Sequence, residues 1–159
     1  MRLLEAHGIQ RLVDVRSIPR SRYNPQFEQS ALLLSMPEHG VDYIHLKALG
    51  GLRHGTKDSP NTGWRNASFR CYADYMLTPA FDEGVEELLR LAEQKRTAIM
   101  CAEAVPWRCH RSLIGDALLV RGVKVLDIMD ERTARPHEMT SFAVADGTRL
   151  TYPEEAHDG

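Results

Sequence analysis

Apolar positions recur along this chain at two spacings, and the change from one to the other divides it into strands and helices. Arg11-Leu-Val-Asp-Val15 and Val41-Asp-Tyr-Ile-His-Leu46 alternate and carry β-branched residues, so both read as strands. Ala98-Ile99-Met100 is an unbroken apolar run too short for a helix. It predicts a central strand, Thr97–Cys101, covered on both faces. Lys124-Val-Leu-Asp-Ile128 is a further strand. Between these runs the spacing becomes three and four. Leu3, Leu4 and Ala6, closed by Gly8, end one helix. Phe27, Ala31 and Leu34 form the face of a second, which starts at Asn24-Pro25 and stops at Pro37 and Gly40. Phe69, Tyr72, Ala73 and Met76 mark a third. Phe81, Val85, Leu88, Leu89 and Ala92 mark a fourth behind Thr78-Pro79. Leu113, Ile114, Ala117 and Leu118 mark a fifth, stopped by Gly122.

Breakers fill the remainder. The paired glycines of Leu49-Gly50-Gly51-Leu52-Arg53 indicate a tight turn or a close approach to a ligand. Residues 54–66 read as a long irregular loop. Asp146-Gly147, a type I′ dipeptide, sits between Met139–Ala145 and Arg149–Tyr152 and predicts a C-terminal hairpin; a short helix from Pro136 is the alternative. Strands alternating with helices imply one α/β domain over residues 1–153, an open, mostly parallel sheet with helices on both faces. Residues 154–159 are expected to be a frayed tail.

Composition changes this picture little. With 159 residues, 43% hydrophobic and 26% charged, the chain has the balance of an ordinary soluble domain. A net charge of −2 gives no global attraction to nucleic acid, so any basic site is a local patch. No apolar run approaches the roughly 18 residues of a membrane span, and no signal-peptide core follows Met1. Three cysteines, an odd number, point to a reducing compartment, hence a cytoplasmic protein with no membrane partner.

The chemistry gathers in loops that leave the carboxyl ends of strands, where α/β proteins bind ligands. One is Arg16-Ser-Ile-Pro-Arg20-Ser-Arg22, whose plain alternative is a solvated basic loop. The other runs from Cys101 through Glu103, Pro106, Trp107, Arg108 and Cys109 to His110 and Arg111. A Cys101 thiolate would be favoured by helix N–H groups and by Arg108 or Arg111, and opposed by Glu103; a buried structural cysteine is the other reading. A cysteine-phosphatase loop requires arginine six positions after the cysteine, but position 107 is Trp and Arg108 falls one place late. A rhodanese-like comparison fits better at its edges, with Val13-Asp-Val-Arg16 and Arg111-Ser112, yet it needs an enlarged loop. No metal is expected, because there is no C-x-x-C pair and Cys109 and His110 are sequence neighbours. His110 could act as an acid–base group, donate to an anion, or bond to its own loop. Arg16, Arg20, Arg22, Arg53, Arg65, Arg108 and Arg111 all fall in loops, and guanidinium forks suit phosphate or carboxylate. Trp64, Trp107 and Tyr23 lie beside them, able either to stack a base or to cover the loops as apolar lids.

These segments resemble the domain of unknown function 488 family. The signature is carried by Val13-Asp-Val-Arg16-Ser17-Ile-Pro19-Arg20-Ser21-Arg22-Tyr-Asn-Pro25-Gln-Phe27, Leu49-Gly50-Gly51-Leu-Arg53, Phe69-Arg-Cys-Tyr72-Ala-Asp74-Tyr-Met76 and Met100-Cys101-Ala-Glu103-Ala-Val-Pro-Trp107-Arg108-Cys109-His110-Arg111-Ser112. The resemblance extends over nearly the whole chain and implies a Rossmann-like α/β domain with no settled activity, and the cofactor is unknown. Members of that family open with a strand of Thr-Ile-Gly-His-Ser type before the helix that ends here near Gly8. That strand and its histidine are expected to be missing from this chain, through a late start or through loss. The residues together lead to an anionic, phosphorylated small molecule or nucleotide as ligand. Arg16, Arg20, Arg22, Arg53, Arg108 and Arg111 would hold the anion, and Cys101, Glu103, Cys109 and His110 are the reactive candidates. Arg16 and Arg108 or Arg111 are expected to converge on the helix start at residue 111, with Glu103 as counter-charge. A nucleic-acid-binding or accessory module without catalysis is the alternative.

Overall fold

A computed structural model describes residues 6–15, 29–50, 58–100, 110–128 and 132–154. Three strands, β1 (Arg11–Asp14), β2 (Asp42–His45) and β3 (Thr97–Met100), form a parallel sheet in the order β2-β1-β3. Leu12 is level with Tyr43 and Ala98, and Asp14 with His45 and Met100. Alternation divides the sheet into two faces. Leu12, Tyr43 and the half-buried Ala98 and Met100 pack with Leu32 and Met36 of helix α1 (Gln29–Glu38). Val13, Val15, Ile44 and Ile99 pack on the other face against three helices, α2 (Ala67–Tyr75), α3 (Pro79–Gln94) and α4 (Arg111–Leu119). Their contacts come from Tyr72 and Ala73, from Phe81, Val85, Leu88 and Leu91, and from Leu113, Ile114, Ala117 and Leu118.

The middle strand is β1, buried at every position, whereas β3 stands at an edge and is only half-buried. An apolar run shows that a strand is covered but not that it has neighbours on both sides. The expected further strand also lies elsewhere. β4 (Leu126–Ile128) pairs antiparallel with β5 (Ala134–Pro136), outside the parallel sheet. Leu126 is 39% exposed, and Asp127 is tied to a histidine, so this segment lacks the two apolar faces of a buried parallel strand.

Helix α1 turns a different face inward from the one read in the sequence. Leu32 and Met36, one turn apart, lie over the sheet, while Leu34 is 75% exposed. Two residues along a helix is about 200° around it, so Leu34 and Leu32 cannot share a face. Pro37 stands inside the last turn, and Gly40 closes the helix with φ 75°. Val41 N–H donates to the Met36 carbonyl and Gly40 N–H to that of Pro37, both at 3.0 Å, a Schellman end. α4 ends the same way at Gly122, φ 78°, as its sequence indicates. Thr78 caps α3 at the Phe81 N–H; the fourth inward position on that helix is Leu91, and Ala92 is exposed.

The C-terminal hairpin pairs β6 (Val144–Asp146) with β7 (Arg149–Thr151). Its loop is Gly147-Thr148, with φ 61° at Gly147 and no positive φ at any described non-glycine residue. Positive φ at the first central position alone is the type II′ pattern, so the turn differs from the type I′ expected. Pro136 ends a strand and starts no helix. Leu150 and Tyr152 join the same core cluster as Val13 and Leu113.

Candidate functional site

The site residues expected from sequence divide sharply. His110 and Arg111 are described; Arg16, Arg20, Arg22, Arg53, Cys101, Glu103, Arg108 and Cys109 lie outside the described residues. The expected convergence of Arg16 and Arg108 on the helix start lies outside them as well. The residues that flank these loops can be placed.

Past β1, Val15 N–H donates to the Met100 carbonyl at 2.9 Å, which keeps the ends of β1 and β3 side by side. Leu46 N–H likewise reaches the Asp14 carbonyl at 2.9 Å, holding the end of β2. A 3₁₀ turn, Lys47–Leu49, then brings the chain to Gly50, which is buried and extended (φ −61°, ψ 151°). Gly50 therefore needs no glycine-only backbone conformation; Gly51 lies outside the described residues.

His110 joins these ends. Its Nε2 lies 3.1 Å from the Val15 carbonyl and 3.1 Å from that of Leu49. Carbonyl oxygens only accept, so Nε2 carries the hydrogen. The ring packs on Tyr72, centroids 4.8 Å apart, and the Tyr72 hydroxyl donates to the same Leu49 carbonyl at 2.8 Å. Tyr75, one turn on, donates to Ala48 at 2.6 Å. Because the ring is turned to these carbonyls, it makes no side-chain cap for α4. These two carbonyls belong to the end of β1 and to the 3₁₀ turn, so the bonds differ from the own-loop bond read in the sequence. Arg111 follows as the first residue of α4, half-buried.

Asp14 was assigned no role from sequence. It ends the middle strand, is fully buried, and accepts a hydrogen bond from the Tyr43 hydroxyl through Oδ2. The available signal was a carboxylate flanked by the apolar residues Leu12, Val13 and Val15.

Two further polar groups lie deeper. Asp116, on the inner side of α4, accepts at Oδ1 from Thr140 N–H (3.2 Å) and faces His137 Nε2 (2.9 Å), and accepts at Oδ2 from the Tyr152 hydroxyl (2.9 Å). His137 Nδ1 lies 3.0 Å from Asp127 Oδ2. The Asp116 contact, more than burial opposes it and with Asp127 adding to it, pushes the His137 pKa up to about 9. Burial, and then the Asp116 charge, raise Tyr152 far above the ordinary phenol range. Elsewhere, buried Asp74 accepts from Ser59 and, at 2.7 Å, from Asn61 Nδ2, while Asn61 Oδ1 receives the Tyr152 N–H at 2.8 Å. Trp64 sits here too, its ring against Phe69, Phe142 and Tyr152, as a packed residue of the core rim. Among the described residues no three His, Cys, Asp or Glu side chains are grouped to hold a metal.

A small parallel sheet with helices packed on it and antiparallel hairpins outside it defines a mixed α/β protein. The chain belongs to the family described as domain of unknown function DUF488, which matches residues 1–118. The match stops just after Asp116, short of the nearly full-length resemblance expected. No curated protein and no solved structure matches the chain. Among the described residues, no helix is long and apolar enough to cross a membrane.

Proposed function

We propose that this protein binds an anionic, phosphorylated ligand in a cleft at the carboxyl ends of β1, β2 and β3. The walls are Arg16–Arg22, Gly50–Arg53 and Cys101–Arg111. One observation carries the reading: the His110 Nε2 bonds to Val15 and Leu49. Val15 immediately precedes Arg16, Leu49 precedes the glycine pair before Arg53, and His110 itself follows Cys109. Three arginine-bearing segments thus start or finish at residues that meet at a single ring. Convergent guanidinium forks are the usual protein answer to phosphate. In this reading Arg16, Arg108 and Arg111 clamp the anion, with Arg20, Arg22 and Arg53 around it. Glu103 and His110 are the acid–base pair, and Cys101 or Cys109 the nucleophile of any catalysed step.

The test is calorimetric titration of the intact protein with inorganic phosphate and with nucleoside mono- and diphosphates. At least one is expected to bind, and Arg16→Ala or Arg111→Ala to weaken it about tenfold or more, the value of one charge-assisted contact. No heat with any of them, or affinities unchanged in both variants, would refute the site. Tight binding of single-stranded RNA at high salt without any phosphate response would favour the nucleic-acid alternative.

A further inference from the structure

Residues 119–159 lie beyond the family match, yet part of that segment is fastened to the matched part through one aspartate on α4. Asp116 is 0% exposed, and each of its carboxylate oxygens faces a partner from residues 137–152. The ring of His137 lies between that carboxylate and Asp127. A carboxylate oxygen only accepts, so both contacts are hydrogen bonds only if both ring nitrogens carry hydrogen. Neutral imidazole has one N–H and would aim a lone pair at one of the two oxygens. The ring also lies close against the helix: a Cβ at Gly115 would stand 2.7 Å from Nε2.

We propose that His137 is a protonation latch, which as imidazolium fastens the stretch around β5 (Ala134–Pro136) to α4 and on losing a ring proton loosens that stretch, while Leu150 and Tyr152 stay in the core. The groups facing the ring are Asp116 from α4, Asp127 from β4 and, across Asp116, the Tyr152 hydroxyl from the chain after β7. The folded-state pKa, about 9, lies above the ordinary value of 6.5, so the fastening is fully present below 6.5. It holds through neutrality and is lost as pH rises through about 9. This inference does not depend on what binds at the strand ends.

The intact protein supplies two readouts. The His137 ring resonances, followed by NMR, are expected to titrate near pH 9. Trypsin cleavage after Arg132, normalised to an unstructured peptide, should rise severalfold between pH 7 and pH 9.5. His137→Gln should be cleaved at pH 7 as fast as the wild type at pH 9.5, with a flat profile. Should that variant fail to fold, Asp127→Asn removes the half-exposed carboxylate alone, and the ring midpoint should fall. A wild-type midpoint near 6.5, a pH-independent cleavage rate, or a glutamine variant with the wild-type profile would overturn the latch.

Discussion

His110, read in the sequence for its chemistry, also ties the end of β1 to the turn before Gly50. Its ring closes a gap between the end of β1 and the turn before Gly50, so its removal leaves one donor, Tyr72, where two served the Leu49 carbonyl, and strips Val15 of its side-chain partner. His110→Ala is expected to lower stability by about 1–2 kcal/mol in urea denaturation; a loss near zero would show that these contacts do not hold the loops together. Gly115→Ala should cost about 1–3 kcal/mol, because the new methyl meets the His137 ring at 2.7–2.9 Å and the latch leaves it no room. Thermal melting would show a drop of about 2–4 °C for each kcal/mol. The sequence made the reactive loops conspicuous and kept the buried carboxylates hidden. Asp116 sits in a run of helical apolar residues, and its partners His137 and Tyr152 are 21 and 36 residues away. Spacing reveals which face of a helix is inward, but not what waits on the other side.

At the scale of elements, local chemistry was the readable part. Thr78-Pro79 starts α3, Gly122 ends α4, and β1 and β2 fall within their alternating runs, because each depends on neighbouring residues only. Strand order, the inward face of α1 and the hairpin's turn type depend on partners distant in sequence or on a single backbone angle. They came out differently. Asn66 shows the value of a local cap that lies under a distant site: its Oδ1 accepts from Ser68 N–H at 2.8 Å and Phe69 N–H at 3.3 Å, starting the helix that carries Tyr72 to His110. Asn66→Ala should therefore destabilise by about 1 kcal/mol. Asn66→Ser should recover most of it in the same denaturation series; equal losses would exclude capping as the cause.

For the whole molecule, two charged groups set a pH window. Asp42, bonded to Lys95 (2.7 Å) and Arg11 (3.2 Å), has its pKa held below the ordinary 3.8, so its contribution is present above that value and lost as pH falls below it. His137 acts oppositely, contributing fully below 6.5 and losing its effect as pH rises through about 9. Melting temperature is expected to hold a plateau from weakly acid to neutral pH and to decline above it. His137→Gln should flatten the alkaline limb and Asp42→Asn the acid one; limbs unchanged in both variants would assign the window to other groups. The bond from Tyr152 to Asn61 has a further consequence, in time. It spans 91 residues, and at roughly 5–20 residues per second a ribosome needs about 5–18 s to cover that distance. Throughout that interval the nascent chain carries Asn61 without its eventual partner and the apolar face of Val13 without Leu150 and Tyr152. A chaperone that shields that face should raise the soluble yield without altering the finished fold.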